Sequence, residues 1–507
     1  MKGKLKELLE QNRISKDIYD VISTTGSQPA RLYGLAKVHK SSVPTRPVLS
    51  MPGSVYHPIA TLVTKWLNVV EECHINTSSK EIADSLKNVE LDEDEVVLSF
   101  DVVSLYTNVP VHEAIEVCSD LLFSGKYELP PVDKETFKEL LELCTCNVLM
   151  QTHNGFYRQT DGLAMGSPPA PLLANGWLSK YDPKIKDQAK ICVRYMDDIL
   201  RSSKKEDIQG KLDAINGLHP ALKFTLEEEK DGKLPFLDML IIREGRSLSS
   251  SWYSKPTDTG LLMNYHALAP RRYKRSVVAG FVYRIHRACS SWKNSSDSLQ
   301  NAKTILERNQ YPPDFYEPII EQALNKIIGA AEQEVLRNKE KESSSGSDAI
   351  KEPELRKKMI FLEYRGKVTE SYCRALWKAK APCTPVLTLR KLKTVLPSLK
   401  PAIEHKIRSH LVYKITCPRC KARYIGKTDQ YLEVRLGQHK HPSKPVGKHL
   451  RSCNALQEVT VDNVEIMAAS NRGEQYLLTL EALMQKEERP EINTKDEYRS
   501  RELTIMW

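Results

Sequence analysis

The spacing of hydrophobic residues changes several times along this chain, and each change outlines an element. Residues 96–106 form an almost continuous apolar, β-rich run, the pattern of a strand covered on both faces. Residues 191–203 read as strand, tight turn, strand, with Asp197 and Asp198 at the turn. Residues 31–40 and 46–50 read as two strands joined by a basic turn, and 223–225 and 236–242 as further strands. Apolar residues recur at helical spacing over 55–75, and 112–124 and 133–150 also predict helices. Pro168 and Pro169 followed by apolar residues to 178 predict a helix that starts just after a Gly-Ser-Pro turn. Residues 1–25 predict a short amphipathic helix, and 271–330 a helical, basic region.

Residues 338–354 are polar and low in complexity, which predicts a flexible boundary. A basic connector containing Pro382, Pro385, Pro397 and Pro401 follows, and a compact unit begins near Ser409. At 507 residues the chain exceeds one ordinary core. The pattern predicts an α+β, multidomain protein divided at 1–265, 266–335, 336–408 and 409–500.

Composition adds a class of partner. The chain has 75 Lys or Arg against 65 Asp or Glu, a net charge of +10. Residues 351–430 alone hold 20 basic and 6 acidic residues, a net of +14, and 271–303 hold eight basic and one acidic. Such blocks point to a polyanion. Eleven cysteines, an odd count mostly at scattered spacings, do not suggest a disulfide framework. No secretory signal opens the chain and no apolar run is long enough to span a membrane, so an intracellular protein without a membrane partner is expected.

Three constellations carry chemistry. In the first, Asp101 lies in Ser-Phe-Asp-Val-Val-Ser-Leu-Tyr (99–106), followed by Gly-Leu-Ala-Met-Gly-Ser-Pro (162–168) and Tyr-Met-Asp-Asp (195–198). A lone aspartate after an apolar strand and an Asp-Asp pair on a hairpin can meet at one sheet edge. Three carboxylates there suit two Mg²⁺ ions, the requirement of nucleotidyl transfer. In the second, Tyr413 and Tyr424 stand eleven apart on two apolar strands, Arg435 and His439 lie four apart on one helix face, and Glu481 and Asn493 follow. In the third, Cys417-Pro-Arg-Cys420 precedes His449-Leu-Arg-Ser-Cys453, an acceptable tetrahedral Zn²⁺ spacing in which His441 is an alternative to Cys453.

The first set resembles reverse transcriptases, and specifically Penelope-like retroelements, through Tyr33-Gly-Leu-Ala-Lys-Val-His-Lys, Arg46-Pro-Val, Phe100-Asp-Val-Val-Ser-Leu-Tyr, Gly162-Leu-Ala-Met-Gly-Ser-Pro, Tyr195-Met-Asp-Asp and Pro235-Phe-Leu-Asp. The resemblance covers roughly residues 30–260. It implies a right-hand polymerase palm and fingers with a helical thumb. It also implies Mg²⁺ or Mn²⁺ on Asp101, Asp197 and Asp198, Tyr106 under the sugar excluding a 2′-hydroxyl, and Lys37 and Arg46 on the triphosphate. Gly166 and Ser167 would admit nucleotide and template to the backbone, with Met165 giving an apolar template contact.

Residues 411–439 resemble GIY-YIG endonucleases, a small α/β nuclease domain, with Val412-Tyr413 in the first block and Tyr424-Ile-Gly426 in the second. That likeness implies base and water-positioning work for Tyr413 and Tyr424, charge stabilisation by Arg435 beside His439, and a divalent ion on Glu481, with Glu474 the alternative. Endonuclease-bearing Penelope-like elements carry a zinc finger between the signature strands, which implies a structural Zn²⁺ on Cys417, Cys420, His449 and Cys453.

The implied activity is RNA-directed DNA synthesis primed from a nick that the nuclease makes in target DNA. The partners would be an RNA template, a DNA primer, target DNA and deoxynucleoside triphosphates, and the nucleus the implied location, for which 271–275 could serve as a basic signal. A truncated or co-opted copy that only binds nucleic acid, or only cleaves it, is the other expectation, since family members usually have more chain before Tyr33.

Overall fold

In the computed structural model, residues 25, 38–42, 75–76, 342–357, 382, 390–397, 471–473 and 495–507 lie outside the described residues. The basic turn after the first strand and most of the expected 338–354 boundary fall among them. The chain divides into two compact units: Met1–His74, Ser104–Lys180 and Leu399–Trp507 form one, and Ile75–Val103 with Tyr181–Ser398 the other.

The second unit is built on a four-stranded antiparallel sheet in the order Cys192–Tyr195, Asp198–Lys204, Glu95–Val102, Phe224–Glu228. Glu95–Val102 is flanked by a strand on each side and is buried at every position except Asp101. Its apolar run is therefore covered on both faces, as the sequence predicts. A second sheet orders Ser247–Trp252, Met239–Glu244 and Lys233–Phe236. The single strand expected at 236–242 is broken here, because Leu237 adopts φ 56° and the chain folds back on itself. Beneath this sheet, Leu234, Phe236, Met239, Ile241 and Leu248 share a core with Leu91, Val97 and Leu200.

Three helices follow, Arg271–Ala288, Trp292–Arg308 and Pro313–Lys341, joined by a core that includes Val278, Phe281, Ile285, Leu306, Tyr311 and Ile319. The expected helical region is thus present. The linker expected over 336–408 is not unstructured throughout. Strands Lys358–Glu363 and Cys383–Thr388 pair in parallel through the crossover helix Lys367–Lys378. Met359 and Phe361 are well exposed, so the strand has little of the burial signature that periodicity detects.

The first unit contains a sheet ordered Thr45–Ser50, Ala30–Ala36, Leu149–Thr152, Gly155–Arg158. The last two strands form a hairpin that begins within the helix expected at 133–150, whose helical part is Lys134–Thr145. The helix expected over 1–25 is two helices, Lys2–Glu10 and Lys16–Ile22. Asn12 at φ 56° breaks them, and the Ser15 side chain accepts from the Ile18 amide to start the second. The C-terminal part of this unit has a three-stranded sheet, Arg423–Thr428, Leu411–Thr416, Val464–Ala469, with helices Leu432–His439, Pro445–Ser452 and Glu474–Glu488. No helix among the described residues is long and apolar enough to cross a membrane.

Candidate active sites and metal centre

Strand register brings the three aspartates of the second unit to one sheet end. Asp101 pairs with Asp198 across the two central strands, and the Val102 amide donates to the Asp197 carbonyl at 3.1 Å. Tyr195 pairs with Asp198, so Met196 and Asp197 form a two-residue turn with Met196 at φ 54°. A non-glycine residue at positive φ is costly and persists only where its surroundings hold it. Arg194 supplies that support. Its side chain is 4% exposed and pairs with Asp182 through two bonds of 2.7 Å, while its Nη1 donates to the Met196 carbonyl. Sequence reasoning missed this brace, although an arginine directly before the Tyr-Met-Asp-Asp block was a signal.

Burial, followed by the charges of Asp197 and Asp101, pushes the Asp198 carboxyl up to about 6, with Lys255 opposing the shift. Carboxylates that repel one another in a partly desolvated place are the donor set that divalent cations neutralise. The residues therefore fit a Mg²⁺ or Mn²⁺ site.

The residues expected to hold the nucleotide lie in the first unit. Lys37 follows strand Ala30–Ala36, and Arg46 lies exposed on the adjacent strand opposite Leu35. The turn containing Met165 and Gly166 lies against that second strand: the Leu49 amide donates to the Met165 carbonyl at 2.8 Å. Gly166 has φ +101°, and a Cβ there would overlap the Leu49 carbonyl, so only glycine suits this approach. Ser167 is buried, and its hydroxyl lacks a hydrogen-bond partner among the described residues. Tyr106 is partly buried on the short helix Leu105–Asn108, and its carbonyl accepts from Leu163 at 2.6 Å.

The C-terminal constellation is assembled by a hairpin and two helices. Tyr413 pairs with Gly426 across strands Leu411–Thr416 and Arg423–Thr428. The fully buried Tyr413 hydroxyl lies 2.6 Å from His439 Nε2 and accepts from Arg435 Nε at 3.2 Å. The Tyr424 ring lies 4.8 Å from the His439 ring. Gly426 has a specific reason: a Cβ would come within 2.7 Å of the Tyr424 ring and 3.0 Å of both tyrosine hydroxyls. Burial, and then Tyr424, hold the Tyr413 phenol well above its ordinary value. Burial, and then Arg435 and Lys444, push His439 down to about 4, so its imidazole is neutral at physiological pH.

Glu481 is 8% exposed and accepts from the Lys427 amide at 2.9 Å, and its charge acts on both Tyr413 and Arg435. Glu474 is exposed and pairs with Lys427 Nζ at 2.7 Å. Of the two carboxylates, Glu481 is the one beside the tyrosine–arginine cluster. Asn493 clamps the second strand, receiving the Ile425 amide at 2.9 Å and donating to its carbonyl at 2.8 Å. Gln438, also absent from the sequence reading, accepts from Arg435 at 3.0 Å and donates to Gln430 at 2.9 Å.

Cys417, Cys420, His449 and Cys453 converge, with ligand atoms all within 4.8 Å of one another. Cys420 Sγ lies 3.2 Å from His449 Nε2 and 3.7 Å from Cys453 Sγ. Tetrahedral Zn–S bonds of about 2.3 Å give sulfur separations near ~3.8 Å, so the set fits Zn²⁺ with no open position. His441 bonds Ser443 instead. We expect Cys417→Ser to release one equivalent of metal and to lower the melting temperature of this C-terminal part by about 10 °C or more. Metal analysis with calorimetry checks this; an unchanged melting profile would exclude a structural metal.

Residues 38–233 match the reverse transcriptase (RNA-dependent DNA polymerase) family, 261–321 the animal helix-turn-helix domain, and 409–496 the GIY-YIG catalytic domain. The search of curated proteins gave no match. Among solved structures, the chain is similar to telomerase from Candida albicans in complex with a telomeric RNA fragment (TM-score 0.39, 10% identity, covering 64% of this chain and 63% of that one). It is also similar to apo telomerase from Candida tropicalis (TM-score 0.36, 13% identity, 60% and 62% covered) and to the RNA-dependent RNA polymerase of a human picobirnavirus (TM-score 0.36, 12% identity, 59% and 65% covered). The chain thus spans somewhat under two thirds of the length of these polymerases.

Proposed function

We propose, from the premise that this chain joins a reverse transcriptase domain to a GIY-YIG domain, that it copies RNA into DNA from a 3′ end that its own nuclease exposes. The reading places it with Penelope-like retroelements, acting on an RNA template, deoxynucleoside triphosphates and chromosomal target DNA in the nucleus. The observation that carries it is the Asp101–Asp198 register beside the Asp197 turn, with a complete nuclease cluster on the same chain.

In the polymerase, Asp101, Asp197 and Asp198 would hold two divalent ions. When bound, these supply activation of the primer hydroxyl and neutralisation of the departing pyrophosphate. Arg194 keeps the turn rigid, so that the carboxylates need no reorganisation. Lys37 and Arg46 meet the triphosphate as cations, and Tyr106 contacts the sugar.

In the nuclease, neutral His439 orients the Tyr413 hydroxyl it touches for the base and water-positioning work it would share with Tyr424, and Arg435 faces the developing charge. Glu481 would hold the divalent ion at the scissile phosphate, and the Cys₃His group would be structural. The basic block at 271–303 meets phosphates without reading sequence.

The test is DNA synthesis on an RNA template with Mg²⁺, run beside nicking of supercoiled DNA. Both products are expected. Synthesis on DNA templates alone would sink the RNA-directed reading, and synthesis without nicking would confine function to the polymerase.

A further inference from the structure

The nuclease, the strand that Lys37 follows and the strand that bears Arg46 belong to one compact unit, and specific contacts join them. The first is at residues 26 and 27. Gly26 has φ +66°, and a Cβ there would overlap the Asp429 carbonyl oxygen, so the loop admits glycine alone. The Ser409 hydroxyl donates to the Gly26 carbonyl, and the Ser27 hydroxyl lies 3.1 Å from the Tyr431 hydroxyl. Tyr431 is the residue from which helix Leu432–His439 starts, and that helix presents Arg435 and His439 to Tyr413.

A second set runs along the chain entering the nuclease. Lys400 Nζ donates to Ser50 at 2.7 Å and lies 5.7 Å from the centre of the Tyr33 ring, within cation–π reach. Gln151 donates to the Ala402 carbonyl at 2.9 Å. Ser50, Tyr33 and Gln151 lie on three neighbouring strands of the sheet that bears Arg46.

Resting on the two-activity reading, we propose that Gly26 and Ser27 are positioning residues. They dock the nuclease's arginine–histidine helix onto the unit that bears Arg46, so that the nuclease and the nucleotide-holding strands move as one body. Two catalytic domains on a slack tether would release the nicked end to diffusion. A docked nuclease keeps that end at a high effective concentration for the strands of its own unit that would hold the incoming nucleotide. The site is an interface within the chain, and its purpose is the coupling of two reactions.

The experiment uses the full chain. Gly26→Val introduces the overlap, Ser27→Ala removes the hydroxyl, and Ser27→Thr is the conservative control that should retain coupling. Three rates are compared: nicking of supercoiled DNA, extension of a pre-annealed primer on RNA, and extension from the nick in a single reaction. We expect Gly26→Val to lower extension from the nick at least roughly ten-fold more than it lowers either separate rate. Coupled yield that falls no further than the separate activities, whether all persist or all collapse together, overturns the proposal. Hydrogen exchange over 429–436 is followed in parallel and should accelerate in Gly26→Val; unchanged exchange also overturns it. A parent protein that neither nicks nor extends refutes the two-activity reading instead, while the exchange measurement still decides the docking.

Discussion

Asp198→Asn should extend a primer on RNA at about one thousandth of the parental rate or less, and should nick supercoiled DNA at the parental rate. The amide keeps the size of the carboxyl but removes a charge from a site proposed to hold divalent cations. Losing one of three converging carboxylates forfeits several kcal/mol of charge stabilisation, and each ~1.4 kcal/mol is ten-fold. The same change should raise the melting temperature of the metal-free protein at pH 8. The sign follows from linkage. The Asp198 carboxyl sits at about 6 when folded, against 3.8 ordinarily, so the folded state binds the proton more tightly. The associated stability is present below the ordinary value and is lost as pH rises from about 3.8 through about 6. At pH 8 the parent therefore carries its full electrostatic burden, and Asn removes it. Added Mg²⁺ should stabilise the parent more than the variant. A variant with parental synthesis, or one that melts lower at pH 8, would exclude this role for Asp198.

The sequence made the chemistry legible where chemistry coincides with local pattern. Asp101 ends an apolar run, Asp197 and Asp198 occupy a two-residue turn, and Cys417 and Cys420 flank a tight knuckle; each is visible within a few residues. Gly166 and Gly426 were legible as motif members, while the structure supplies their reasons, a carbonyl and a ring edge where a Cβ would go. What escaped depends on partners distant in sequence or on strands with little burial. Arg194 acquires its role through Asp182, twelve residues earlier on another element. Strand Lys358–Glu363 pairs with Cys383–Thr388 across a helix, and its exposed Met359 and Phe361 imitate a solvated linker. The break at Leu237 and the hairpin at Leu149–Arg158 were hidden because strand and helix patterns ran together without a proline between them.

Glu481→Gln should lower nicking by about 10²–10³-fold while leaving RNA-templated synthesis from a supplied primer unchanged. Glu481 Oε1 accepts from the Lys427 amide, a bond that a glutamine oxygen can also accept, so the helix Glu474–Glu488 should stay seated on its strand. The substitution removes the negative charge that would hold the divalent ion. Glu474→Gln is the matched control: its carboxylate is exposed and engaged by Lys427 Nζ, so nicking should remain within about two-fold of the parent. Equal losses in both variants would spread the ion over both carboxylates, and a loss confined to Glu474→Gln would move the metal site outward along the helix. Tyr413→Phe separates the tyrosine's proposed part from that of the ion. Without the hydroxyl, His439 Nε2 and Arg435 Nε lose the group both touch. Nicking by that variant should fall even at saturating Mg²⁺, whereas added Mn²⁺ should restore part of the activity of Glu481→Gln and none of that of Tyr413→Phe.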